Sequence, residues 1–174
     1  RIVYAMHGRE INFHDVHLAF VFAKQAPSGP TIEAQFHLAG QSVPVCSPSR
    51  LAGLGHKPES VADFLTLGLL HDGTPKGWTN WLSEVDSSVS DRGHEAALVG
   101  TTFEDFNLLR AAALSGQGVA LCPKAMIQPD LDSGGLVQIS HRAQNDGNNY
   151  YLLTSTTAPA PIRRNAQVFR DWAT

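Results

Sequence analysis

The chain has 174 residues, 43% of them apolar and 17% charged, which is an ordinary globular composition long enough for one domain or two small lobes. A formal net charge of −3 without any Lys/Arg run excludes an electrostatic footprint for gripping DNA with this chain itself. No apolar run approaches the ~18 residues of a membrane helix, and two cysteines, Cys46 and Cys122, in apolar surroundings read as buried side chains in a reducing compartment.

In chain order, Ile2 to Met6 and Leu18 to Ala23 are short apolar runs suited to strands buried on both faces of a parallel sheet. Glu10 to Val16 between them has the length of a crossover turn of helix, so a βαβ unit is predicted. Ala26-Pro-Ser-Gly-Pro30 is a loop by its turn chemistry. After it Ile32, Ala34, Phe36 and Leu38 alternate with polar residues, the pattern of a strand with one covered face. From Pro44 a second α/β unit runs to about residue 140, the length of a typical domain. It comprises a short helix at Ser60 to Leu65 with a Ser60/Asp63 cap, a strand at Leu67 to Leu70 and a helix at Trp78 to Glu84. A polar loop at Asp86 to Gly93 and strands at Ala96 to Gly100 and Leu136 to Ile139 complete it. A strand at Tyr150 to Ser155 and a helix opening at Pro161, with Ile162, Ala166 and Phe169 at helical spacing, close the chain.

The stretch Gly100 to Pro123 is the most informative. Thr102 is placed to cap a helix whose third residue is Asp105, with Phe106, Leu109 and Ala113 on one face. Gly116 supplies the left-handed stop, and a strand follows from Val119 to Cys122. A helix start of this kind leaves backbone N–H groups free, so the corner from Thr101 to Phe103 is expected to receive an anionic or amide group.

Other chemistries find little support. Glu10, His14 and His17 fit one helical face, but no metal-ligand spacing occurs among the eight histidines, and no metal or cofactor is expected. No Gly-x-Ser-x-Gly occurs, Ser47 and Ser115 read as turn residues, and Gly116-Gln-Gly118 is a helix stop rather than a phosphate loop. With no nucleophile, base or metal set, the reading is not an enzyme. Trp78 and Trp81, one turn apart on an amphipathic helix, are expected to pack inward rather than stack on a ligand.

Six short motifs occur in order: Pro44-Val-Cys-Ser-Pro48, Trp78-Thr-Asn-Trp81-Leu82, Gly116-Gln-Gly-Val-Ala-Leu-Cys-Pro123, Leu131-Asp-Ser-Gly-Gly-Leu-Val137, Tyr150-Tyr-Leu and Phe169-Arg-Asp-Trp172. Together they resemble the effector-binding (substrate-binding) domain of LysR-type transcriptional regulators, and within these the branch controlling β-lactamase and glycine-cleavage genes. The resemblance implies an α/β, periplasmic-binding-protein-like fold of two Rossmann-like lobes joined by two crossover segments. Residues 1–43 and 146–174 would form the first lobe and 44–145 the second, with hinges near Gln41 to Val45 and His141 to Asn149. It also implies that the first lobe here lacks its N-terminal strand and helix, and that a winged helix-turn-helix lies upstream. No signal peptide is visible, and Arg1 is not an initiator.

By the same resemblance a small-molecule effector binds between the lobes at Ala23, Lys24, Thr101, Thr102, Phe103 and Tyr150. Tyr150 opens a strand after a crossing, where a phenol can present its OH. The family's aspartate and arginine beside the first-lobe contacts are replaced here by His17 and Val21, which points to a divergent effector. The expected partners are that effector, DNA only through the missing domain, and further copies in a homodimer or homotetramer, in the cytoplasm and away from membranes. The rival readings are a periplasmic-type solute-binding protein and a small α/β enzyme of the prephenate or arogenate dehydratase type. An upstream DNA-binding domain separates the first rival, and turnover of a ligand the second.

Overall fold

The computed structural model describes residues 11–14, 16–85, 95–144 and 146–173. The first elements are β1 (Leu18–Ala23), β2 (Ile32–Ala39), β3 (Ser42–Cys46), α1 (Pro48–Ala52), α2 (Val61–Leu67), β4 (Leu69–Asp72) and α3 (Lys76–Val85). They are followed by β5 (Gly100–Phe103), α4 (Phe106–Leu114), β6 (Val119–Pro123), α5 (Gln128–Asp132), β7 (Val137–Gln138), β8 (Asn149–Ser155) and α6 (Ala160–Ala173). The described residues fall into two compact units, one within Arg1–Gly40 and Asp146–Thr174 and the other within Gln41–Asn145. The predicted strand at Ile2 to Met6, most of the crossover helix after it, and the loop at Asp86 to Gly93 lie outside the described residues.

The first unit holds a three-stranded sheet in the order β1-β8-β2, with both outer strands antiparallel to β8. This corrects the expectation of a doubly buried parallel strand at Leu18 to Ala23. Its pairing partner is a strand more than a hundred residues away that runs the opposite way, and Phe20 and Phe22 remain 49% and 38% exposed. In β2 the alternation breaks at a bulge between Phe36 and Leu38. The extra residue leaves Phe36 55% exposed and sets the His37 ring 5.1 Å from that of Phe20. Helix α6 meets this sheet through Phe169, whose ring stands edge-on to Phe20, and through the Arg170–Glu33 ion pair at 3.0 Å.

The second unit is built on a five-stranded sheet, β5-β4-β6-β3-β7, in which β4 is parallel to both β5 and β6. Successive strand residues point to opposite faces, and in β3, β4 and β6 both faces are covered, which is why these strands read as largely apolar runs. On one face Leu69, Val119, Leu121 and Cys46 pack with Phe64 and Leu67 of α2 and Trp78, Trp81 and Leu82 of α3. On the other, Leu70, Ala120, Cys122 and Val45 pack with Leu109, Ala112 and Ala113 of α4. Both cysteines are free and buried, and burial pushes the Cys46 thiol up to about 11 and the Cys122 thiol up to about 12.

Local chemistry sets the element ends. Ser60 and Asp63 form a reciprocal capping box on α2. Gly68, at φ +75, then ends that helix, so β4 begins at Leu69 rather than at Leu67. Gly116, at φ +77, follows α4 as predicted. Residues 95–97 are helical, and the strand expected at Ala96 to Gly100 lies instead at Gly100–Phe103, where pairing with β4 overrides the local apolar pattern.

Candidate functional site

The sequence-predicted residues form two groups, one in each unit. In the second unit, β5 ends beside the parallel strand β4, with Leu70 opposite Thr101, His71 opposite Thr102 and Asp72 opposite Phe103. Thr101 and Thr102 are exposed and Phe103 is half-buried against the α4 face of the sheet. The Gly73 N–H donates to the Phe103 carbonyl at 2.9 Å and holds the two strand ends together. Carboxyl ends of parallel strands are where open α/β sheets bind ligands.

The helix behind this corner is capped differently from the expectation. Asp105, in extended backbone, accepts from the Asn107 N–H at 2.8 Å and the Leu108 N–H at 3.2 Å. Thr102 does not cap, because it is still a paired strand residue three positions before the cap. The free helix terminus expected for an anion therefore already carries the chain's own carboxylate, as the helix dipole favours. The Asp72 carboxyl at the end of β4 is pushed above the usual carboxylate range, mainly by the protein packed around it and then by the nearby Asp105 charge. Asp72 and Asp105 bring negative charge to the end of β4 and the start of α4, and such a setting suits a hydrogen-bond donor, such as an amide N–H or an amine, better than an acid. Asp105→Ala is expected to cost about 1 kcal/mol of stability. Thr102→Val, on an exposed strand position, should stay within about 0.5 kcal/mol of the wild type; urea unfolding of both variants checks the assignment of the cap.

In the first unit, the structure brings Ala23 and Tyr150 to one end of the sheet. Ala23 pairs with Asn149 and Phe22 with Tyr150, whose rings lie 4.7 Å apart, and Lys24 follows, exposed, just past the strand. Gly40 closes this end, its N–H donating to Asn149 Oδ1 at 3.3 Å, and the Asn148 backbone and the Phe22 ring leave no room there for a side chain.

The sequence places Asp105 at the third helical position rather than at the cap and does not single out Asp72. Asp105 carries the ordinary signal of an acidic residue directly before an apolar-periodic run, whereas Asp72 has none, because its setting depends on the pairing of β4 with β5. Also missed was His71, 1% exposed in β4, whose two ring nitrogens make no well-formed hydrogen bond, although the Val99 backbone approaches as a hydrogen-bonding group. Trp78 and Trp81 are buried as expected, their indole N–H groups donating to the carbonyls of Leu70 at 2.9 Å and Arg142 at 3.0 Å. Among the described residues no group of three His, Cys, Asp or Glu is arranged to hold a metal ion.

Comparison with known proteins agrees with this architecture. The family profile described as "LysR substrate binding domain" matches residues 9–174. The glycine cleavage system transcriptional activator of Escherichia coli (strain K12) is 28% identical over 159 residues, which are 91% of this chain and 48% of that protein. The HTH-type transcriptional regulator TrpI of Pseudomonas aeruginosa is 31% identical over 112 residues, 63% of this chain and 36% of that protein. The chain thus spans about half or less of the length of these curated relatives. Among solved structures, the AmpR effector binding domain from Citrobacter freundii superposes with a TM-score of 0.70 at 20% identity, covering 96% of this chain and 78% of that one. The regulatory domain of AphB in Vibrio vulnificus gives 0.61 at 20% identity, covering 94% and 77%.

Proposed function

Because the chain belongs to the LysR substrate-binding domain family, we propose that it is the effector-sensing part of a transcriptional regulator and not an enzyme. The observation that carries this reading is the family match across residues 9–174, joined to a mixed α/β fold of two sheets shared with solved effector-binding domains. That fold is periplasmic-binding-protein-like, as the sequence resemblance implied. In this reading a small molecule binds to Thr101, Thr102 and Phe103 of the second unit and to Ala23, Lys24 and Tyr150 of the first. Binding favours one arrangement of the regulator over another and so controls a DNA-binding domain carried elsewhere in the protein. The carboxylates of Asp72 and Asp105 support a donor group at the end of the ligand that meets Thr101. The regulator works in the cytoplasm as a homodimer or homotetramer; no helix among the described residues is long and apolar enough to cross a membrane.

The test begins with a thermal-shift search for small molecules that stabilise the chain and continues by calorimetry on the best of them. Thr101→Val and Tyr150→Phe each remove one hydroxyl without emptying space, so each should weaken binding by about 1 kcal/mol, roughly fivefold in Kd. Unchanged affinity in both variants would refute the assignment of these residues.

A further inference from the structure

Within the second unit, His71 is a buried ionisable ring that effector binding does not use. Buried polar atoms are nearly always paired, and a buried ring with only a poorly formed bond to the Val99 backbone calls for a reason. The His71 ring lies flush against β5: a Cβ built on Gly100 would come 2.5 Å from His71 Nε2 and 2.9 Å from its Cδ2, so the ring fills the space that the glycine leaves open. The same strand carries Thr101 and Thr102 at the next two positions.

The surroundings of the ring favour its neutral form. By strand alternation it shares its side of β4 with Leu69, which packs in the cluster of Trp78, Trp81, Leu121 and Ala97. Among the described residues the charged groups on the packed elements do not face it: Lys76 and Glu84 of α3 and Glu95 ahead of β5 are exposed, Arg50 of α1 donates to the Leu67 and Thr66 carbonyls, Asp63 of α2 is held by the Ser60 cap, and Asp72 points to the other face of β4. The Cys46 thiol, pushed up to about 11, stays neutral. Burial holds the imidazole below its ordinary range, and hydrogen bonding to the Val99 backbone, which favours the charged form, opposes this more weakly.

We propose that His71 is an acid-sensitive latch on β5: when the ring takes up a proton, it leaves its place against Gly100, and the strand end bearing Thr101 and Thr102 loosens from β4. The site is then ordered at neutral pH and weakened in mild acid. The functional meaning of the latch rests on reading Thr101 and Thr102 as effector contacts, but the latch itself is tested without effector. In the unfolded chain a histidine protonates near about pH 6.5, and in the fold it does so lower. The stability held by the neutral ring is therefore fully present above that pH and is lost as pH falls from it through the folded value.

The experiment follows the His71 Cε1–H and the Thr101 and Thr102 amides of the whole chain by NMR from about pH 8 to about pH 5, with melting temperatures over the same range. His71 should titrate below an ordinary histidine, and both amides should shift with the same midpoint. In His71→Gln, whose side chain does not ionise, the amide transition should vanish and the acid fall in melting temperature should shrink by several degrees. Titration of His71 at or above the ordinary value, amide midpoints that differ from its own, or a transition that persists in His71→Gln would each overturn the latch. If that variant does not fold, the coincidence of midpoints in the wild type decides alone. Failure of the Thr101→Val calorimetry would sink the effector reading and leave the latch standing.

Discussion

Trp81→Ala is expected to lower the unfolding free energy by about 3–5 kcal/mol, a large share of the ~5–15 kcal/mol that holds an ordinary domain. The side chain is fully buried, its ring 4.7 Å from that of Phe64 and 5.6 Å from that of Trp78, both edge-on. Its indole N–H donates to the Arg142 carbonyl, 61 residues along the chain, and so ties α3 to the segment leaving β7. The Arg142 guanidinium returns to the Glu84 carbonyl and fastens the same two segments from outside. Truncation leaves a large cavity under α2 and an unpaired carbonyl, and neither neighbouring ring can fill the space without leaving the other. Trp81→Phe keeps much of the volume and loses the hydrogen bond, so it should cost clearly less. Urea unfolding followed by circular dichroism measures both, and a Trp81→Ala loss under about 1 kcal/mol would contradict the packing described.

What could be read from the residues alone was the chemistry that acts over a few positions. The Ser60/Asp63 box, the stop at Gly116, the doubly covered run at Val119 and the inward turn of both tryptophans depend on neighbours one or two turns away. What escaped depends on partners far along the chain. The direction of β1 is set by β8, and the start of β5 by its register with Leu69. Thr102 is a plausible cap by residue type, yet pairing with β4 keeps it in the strand and passes the cap to Asp105. The electrostatics of the candidate site followed from that shift. A corner read as a vacant helix terminus becomes one with Asp72 and Asp105 near it, and of the two expected groups, anionic or amide, this favours the amide.

Gly100→Ala should be almost as damaging as the loss of Trp81, at about 3 kcal/mol or more, for the opposite reason: it adds a methyl group where no space exists. The new Cβ would run into the Leu69 carbonyl oxygen across the parallel ladder and into His71 Nε2 at 2.5 Å. The His71 ring has a buried, close-packed surround, and the Leu69 oxygen is backbone, so relief requires β5 to move away from β4. Gly29→Ala is the matched control, because its Cβ would meet only the Ile32 side chain at 3.7 Å, an ordinary contact. That change should alter stability by no more than about 1 kcal/mol in either direction. Equilibrium unfolding of the pair separates steric exclusion at Gly100 from the general entropic effect of replacing glycine. The damage at Gly100 should also appear in binding: a ligand that engages Thr101 and Thr102 loses affinity when their strand shifts, even under conditions where the variant remains folded. A Gly100→Ala variant as stable as Gly29→Ala would mean that β5 does not lie against β4 in the register that brings Thr101 and Thr102 beside Leu70 and His71.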